Sequence, residues 1–243
     1  MHERTTAASL STTLALHLLP GFVVALFYLV TAERVVRIGL PRLLALLLGF
    51  ALVGIPTQLL VIRTAARAAG HSVVRYRHSI PVWQHLVGAV SLIMLVFGLL
   101  QLPLGAVSRY LAVSLFWWVP PAFASSADDQ IASFAHAPVL ATLILQLVVD
   151  GIVNPLVEEI YFRGYLLPQL ERFGWLAPVV NTTAFAIGHF WQPHNYVSIF
   201  VYVLPLTLFT WWRKNFYVQA FIHCLANTVG AVAALVMFYH GAL

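Results

Sequence analysis

Charge is scarce in this chain. Only 9% of its 243 residues are charged, eight side chains are acidic, and lysine occurs once. A soluble domain carries about 25% charged residues. A chain that is 61% hydrophobic with a mean hydropathy of +0.88 is not one. Cysteine is scarce too. Cys224 alone cannot close an intrachain disulfide, and there is no cysteine cluster for a metal. Several catalytic signatures are missing: no His-Glu-x-x-His zinc helix, no Gly-x-Ser-x-Gly elbow and no Gly-x-Gly-Asp. Strict alternation of apolar and polar residues is also missing, which argues against a membrane barrel.

What is present is a series of continuous apolar runs. Backbone groups in lipid must be satisfied within their own segment, so the runs predict an all-α, polytopic integral membrane bundle of about seven to eight transmembrane helices. The runs fall at about 10–30, 43–62, 84–102, 138–160, 175–190, 196–212 and 217–239. An eighth span follows if 103–121 inserts or if the fourth run breaks at Pro155. Pro20-Gly21 predicts a kink in the first run, and Gly54 and Pro56 a soft break in the second. The opening MHERTTAASL leads into a run of full-span length with further spans after it, so it reads as a first membrane helix rather than a signal peptide. SSADDQ at 125–130 reads as an aqueous loop, and LPQLERFG at 167–174 as a turn. Net charge is +5, but the basic residues lie between apolar runs. They therefore fit orientation signals and anionic lipid headgroups, not nucleic acid. The chain reads as one membrane domain, 1–243, in which 1–137 carries no recognised motif.

The stretch that stands out is VEEIYFRGYLLPQL, 157–170. An ionisable group at membrane depth costs roughly 3 kcal/mol on insertion scales, yet two of the eight acids are adjacent here. Glu159 and Arg163 are spaced i,i+4 and can neutralise each other on a helix. Glu158 lies about 100° round the helix and is left without that partner.

Two more polar pairs sit inside later runs. Asn181, Phe185 and His189 recur at four-residue spacing, as do His223 and Asn227. Each is unfavourable against lipid and is expected to face inward. His17, His85, His136 and His240 lack such company and read as packing residues. His194 reads as a rim residue, and Asp150 as a group behind the glutamates. A carboxylate can act as general base toward water, an imidazole can orient that water or pass a proton, and a second imidazole and an amide can hold an oxyanion. Two histidines and a glutamate also make a zinc set. Intramembrane carboxylates and histidines also serve proton relays, and a histidine–asparagine pair serves as interhelical glue.

In this order on successive runs, Glu158-Glu159-x-x-x-Arg163, Phe185-x-x-x-His189 and His223-x-x-x-Asn227 resemble the CPBP family of intramembrane glutamate proteases, also called ABI or type II CAAX prenyl endopeptidase-like. The resemblance covers 138–239 as a CPBP-like catalytic core. It implies a metal-independent, cofactor-free endopeptidase that processes the C-terminus of prenylated or other membrane-associated proteins or peptides. By position, Glu158 resembles the water-activating base and His189 its partner, while His223 and Asn227 resemble the oxyanion-stabilising pair. Glu159 and Arg163 resemble supports. The expected partners are membrane lipid and a peptide or protein substrate, with or without a lipid. A non-catalytic scaffold, a bacteriocin-immunity protein and a metal-dependent hydrolase are the alternatives. Abundant Ala, Leu, Val and Arg with one Lys points to a high-GC bacterial gene, hence a bacterial cytoplasmic membrane.

Overall fold

Three prolines explain much of the backbone. Proline supplies no N–H to the carbonyl four residues earlier and its ring clashes with it. A wide π-turn relieves that crowding. In the computed structural model, which describes residues 9–79, 81–93, 101–120, 123 and 133–241, π-helical turns occur at Phe50–Gly54, Val149–Val153 and Glu159–Leu166. Pro56, Pro155 and Pro168 each follow one of them by two residues.

The helices are α1 (Leu10–Arg37), α2 (Arg42–Ala69), α3 (Val82–Ile93), α4 (Gln101–Ser114), α5 (His136–Phe173), α6 (Leu176–Ile187), α7 (Tyr196–Arg213) and α8 (Tyr217–Tyr239). Among the described residues there is no strand, only an isolated bridge between Arg77 and Asn215. The all-α polytopic membrane bundle is what the apolar runs predict. Five helices (α1, α2, α5, α7 and α8) are long and apolar enough to cross a membrane. Helix α6, at 12 residues, is about 18 Å long and falls short of the roughly 30 Å hydrocarbon core. The expected seven to eight spans are therefore five long helices plus shorter apolar ones among the described residues.

Boundaries shift in informative ways. α1 starts where Ser9 Oγ accepts from the Thr12 amide at 3.1 Å. It then passes through Pro20 without ending. α5 does not stop at 160. It continues through the expected turn as a 3₁₀ segment, Leu167–Phe173, and ends at Gly174 in a positive-φ conformation. The expected loop at 125–130 and the middle of the third run, 94–100, lie outside the described residues.

Helix α8 packs along α5, α1 and α2 pack together, and α1 also touches α6. The α1–α6 contact is backbone on backbone: a Cβ at Gly21 would overlap the Gly188 carbonyl. Gly21→Ala therefore has no room. Overpacking typically costs about 1–3 kcal/mol. The variant is expected to melt measurably lower than wild type in detergent, and an unchanged melting temperature would mean that α1 does not seat on α6 this closely.

The basic connection after α2 is docked as well. The Arg75 amide donates to the Gly164 carbonyl at 2.7 Å, the acceptor that Pro168 cannot serve within the helix, and Phe216 N donates to Tyr76 O at 2.9 Å. Tyr76 Oη donates to Glu171 at 2.6 Å, as does Lys214 Nζ at 2.6 Å. Burial first, then this hydrogen bond, keeps the Tyr76 hydroxyl protonated well above the usual phenol range.

Candidate active site

The two glutamates of α5 sit at the junction of an α-helical turn, Asn154–Glu158, and the π-turn that follows it. Both are buried, 6% and 1% exposed, but their surroundings differ. Glu158 Oε1 accepts from Asn154 Nδ2 at 3.0 Å, one turn earlier. Among the described residues no donor reaches its second oxygen.

Glu159 faces a cationic network instead. Its Oε1 lies 3.3 Å from Arg163 Nη1 and accepts from His223 Nδ1 at 2.9 Å. The guanidinium of Arg163 is wholly buried. It lies over the Phe185 ring, 4.2 Å from the centroid. With its amide oxygen turned toward the guanidinium, Gln219 accepts from Nε at 3.0 Å and from Nη2 at 3.2 Å. The charge of Arg163 is thus spread over a carboxylate, an amide and a π face.

His189 comes from the short helix. α6 ends at Ile187, and His189 follows the Gly188 cap. Its Nδ1–H donates to the Phe185 carbonyl at 2.8 Å, which leaves the Nε2 lone pair unused. Glu158, His189, Asn154, His17 and Gln58 line one cavity between α1, α2, α5 and the end of α6. Phe185 also lines it and joins the two networks, 4.7 Å from the His189 ring and 6.3 Å from the His223 ring.

Asn227 is placed differently. Its Nδ2 donates to the Asp150 carbonyl at 3.0 Å, and Thr228 Oγ1 donates to the Gly151 carbonyl at 3.1 Å. α8 thereby caps carbonyls of the π-turn ahead of Pro155. His223 and Asn227 share a face of α8, but His223 reaches Glu159 while Asn227 reaches backbone below it. Asp150 lies in that same π-turn, and His194 lies in the Pro193–Asn195 turn before α7.

Three cavity residues are not among the motif residues. Asn154 stands i−4 to Glu158, and that spacing is a usable sequence signal. Gln58 is a lone amide in an apolar run, also visible. His17, expected to be a packing residue, is fully buried on the cavity wall, with Nδ1–H donating to Thr13 O at 2.7 Å and Nε2 accepting from Asn181 Nδ2 at 2.8 Å. Its partner lies 164 residues away, and no local pattern reveals such a pairing.

Fold and site together define a helical membrane protein with a buried carboxylate and imidazoles gathered round one cavity. Residues 140–229 match the family model described as Type II CAAX prenyl endopeptidase Rce1-like. This stretch thus matches the CPBP/CAAX protease family that the three motifs resemble, and the match supports a membrane endopeptidase. No curated protein and no solved structure matches the chain.

Proposed function

We propose that the chain is an intramembrane endopeptidase that hydrolyses a peptide bond with a water activated by Glu158 and without a metal, its catalytic core lying in 138–239. The observation that carries this reading is that Glu158 and His189, one with an unclaimed oxygen and the other with an unclaimed nitrogen, line the same cavity. A water held between them gives its proton to Glu158 as its oxygen adds to the substrate carbonyl. His189 orients that water through Nε2 and relays the proton to the departing amine.

The carbonyl oxygen becomes an anion that needs donors. When charged, His223 keeps Nδ1–H on Glu159 and offers Nε2–H. Asn227 keeps one amide hydrogen on Asp150 O and offers the other. Among the described residues no group of three His, Cys, Asp or Glu side chains is arranged to hold a metal ion. The substrate is the C-terminal region of a prenylated or otherwise membrane-associated protein, and the membrane is a bacterial cytoplasmic one.

The test compares the membrane peptidomes of host cells expressing wild type and Glu158→Gln at matched levels, together with the cleavage of an S-farnesylated C-terminal peptide by the purified proteins. New C-terminal or membrane-proximal fragments with wild type alone are the expected result. Identical peptidomes and an intact peptide with both proteins folded would remove the catalytic reading and favour a scaffold.

A further inference from the structure

The cavity holds more polar groups than the hydrolysis uses, and most are already committed. Both ring nitrogens of His17 are bonded, to Thr13 and Asn181. Asn154 is turned to Glu158. Glu158 and His189 have work to do on water. That leaves Gln58, which is 2% exposed and whose Oε1 has no hydrogen-bond partner. A buried acceptor left unmade costs about 1–3 kcal/mol, so its presence on this wall needs a reason.

Its position supplies one. Gln58 lies on α2 two residues after Pro56, and Phe50, Gly54 and Gln58 line the cavity at four-residue spacing. α2 packs against the part of α5 that carries Glu158. The stripe is apolar except at its end, where it offers an amide.

We infer that Gln58 is a substrate-binding residue that hydrogen-bonds the backbone of an extended apolar peptide tail laid between α2 and Glu158. The inference rests on the peptidase reading and names the part of the site that reading leaves open. A peptide bond must be free of helix to be attacked, so the N–H and C=O groups of the residues flanking it arrive unpaired. In an apolar cavity each unpaired group is costly. A glutamine amide offers one acceptor and two donors, the complement of a peptide group. Being neutral, it adds no charge beside Glu158. Gln58 lies outside the 140–229 match, so this contact assigns the N-terminal half a direct part in substrate recognition.

The experiment uses the full chain carrying Glu158→Gln, so that a bound peptide stays intact. The probe is a fluorescein-labelled, S-farnesylated peptide ending in cysteine, two aliphatic residues and serine, with ester analogues that replace its last backbone N–H groups one at a time. Anisotropy gives the affinity and thermal melting gives the stability. Adding Gln58→Leu is expected to weaken probe binding about tenfold. The melting temperature should hold or rise, because an unpaired buried acceptor has been removed. One ester analogue should bind the Gln58 protein more weakly than the parent peptide, yet bind the Gln58→Leu protein as well as the parent does.

Equal probe affinity with glutamine or leucine at 58, a drop in melting that tracks the affinity loss, or no probe binding to the Gln58 protein would each overturn the inference. If instead the probe binds in a Gln58-dependent way and the wild-type chain fails to cut it, the inference stands and the peptidase reading falls.

Discussion

Glu158→Gln is expected to cut turnover of a cleaved peptide by about 100- to 10,000-fold, the usual contribution of a general base, while the melting temperature stays that of wild type. The second half of this expectation comes from the hydrogen bond already on the residue. Asn154 donates to Oε1, and a glutamine carbonyl at the same place accepts it equally well. The side chain keeps its shape, and no cation depends on its charge for a short contact: Arg163 and His223 are both on Glu159. What is lost is the second oxygen as a proton acceptor, because an amide nitrogen cannot take a proton from water. Single-turnover cleavage and melting, measured on the same preparation, check both halves. Retained turnover would remove Glu158 as the base.

Glu159→Gln has the opposite signature. Removing this charge leaves the guanidinium without its paired carboxylate in a position 0% exposed, and it leaves His223 Nδ1–H with only a neutral acceptor. Breaking one side of a buried ion pair typically costs about 3–5 kcal/mol. The Gln219 amide and the Phe185 ring remain to share the charge, so the lower part of that range is the expectation. The variant should give a markedly lower yield and melting temperature. Turnover per folded molecule should fall less than in Glu158→Gln. Melting in detergent, with activity normalised to the folded fraction, separates the two. If the adjacent glutamates behave alike in both measurements, the division between a reactive and a supporting carboxylate is wrong.

Part of this arrangement was legible in the chain because it is local. Continuous apolar runs announce membrane helices, and α7 and α8 begin and end within a residue of their runs. The i,i+4 spacing of Glu159 and Arg163 is a contact distance on any helix, and the structure has them 3.3 Å apart. The prolines announced breaks, but not their form. Pro56 and Pro155 each follow a π-turn that widens the helix instead of ending it, and at Pro155 donors from α8 take up two carbonyls of that turn. The turn expected at 167–174 continued as helix because only Gly174, with positive φ, stops it.

By itself, then, the sequence determined the solvent, the all-helical class and the order of the polar motifs along the chain. These follow from hydropathy and from spacings of three or four residues, which a single helix reads. The tertiary structure decided which polar groups share a cavity. α6 stops short of a full span, so His189 lines the same cavity as Glu158 instead of lying a membrane's width away. α1 and α2 bring in His17 and Gln58 from more than 95 residues upstream, and α8 turns His223 to Glu159. Those choices depend on how helices cross and where glycine lets them touch, as at Gly21 and Gly188. Packing of that kind leaves no periodic trace in a single sequence, because each contact joins residues whose separation along the chain is arbitrary.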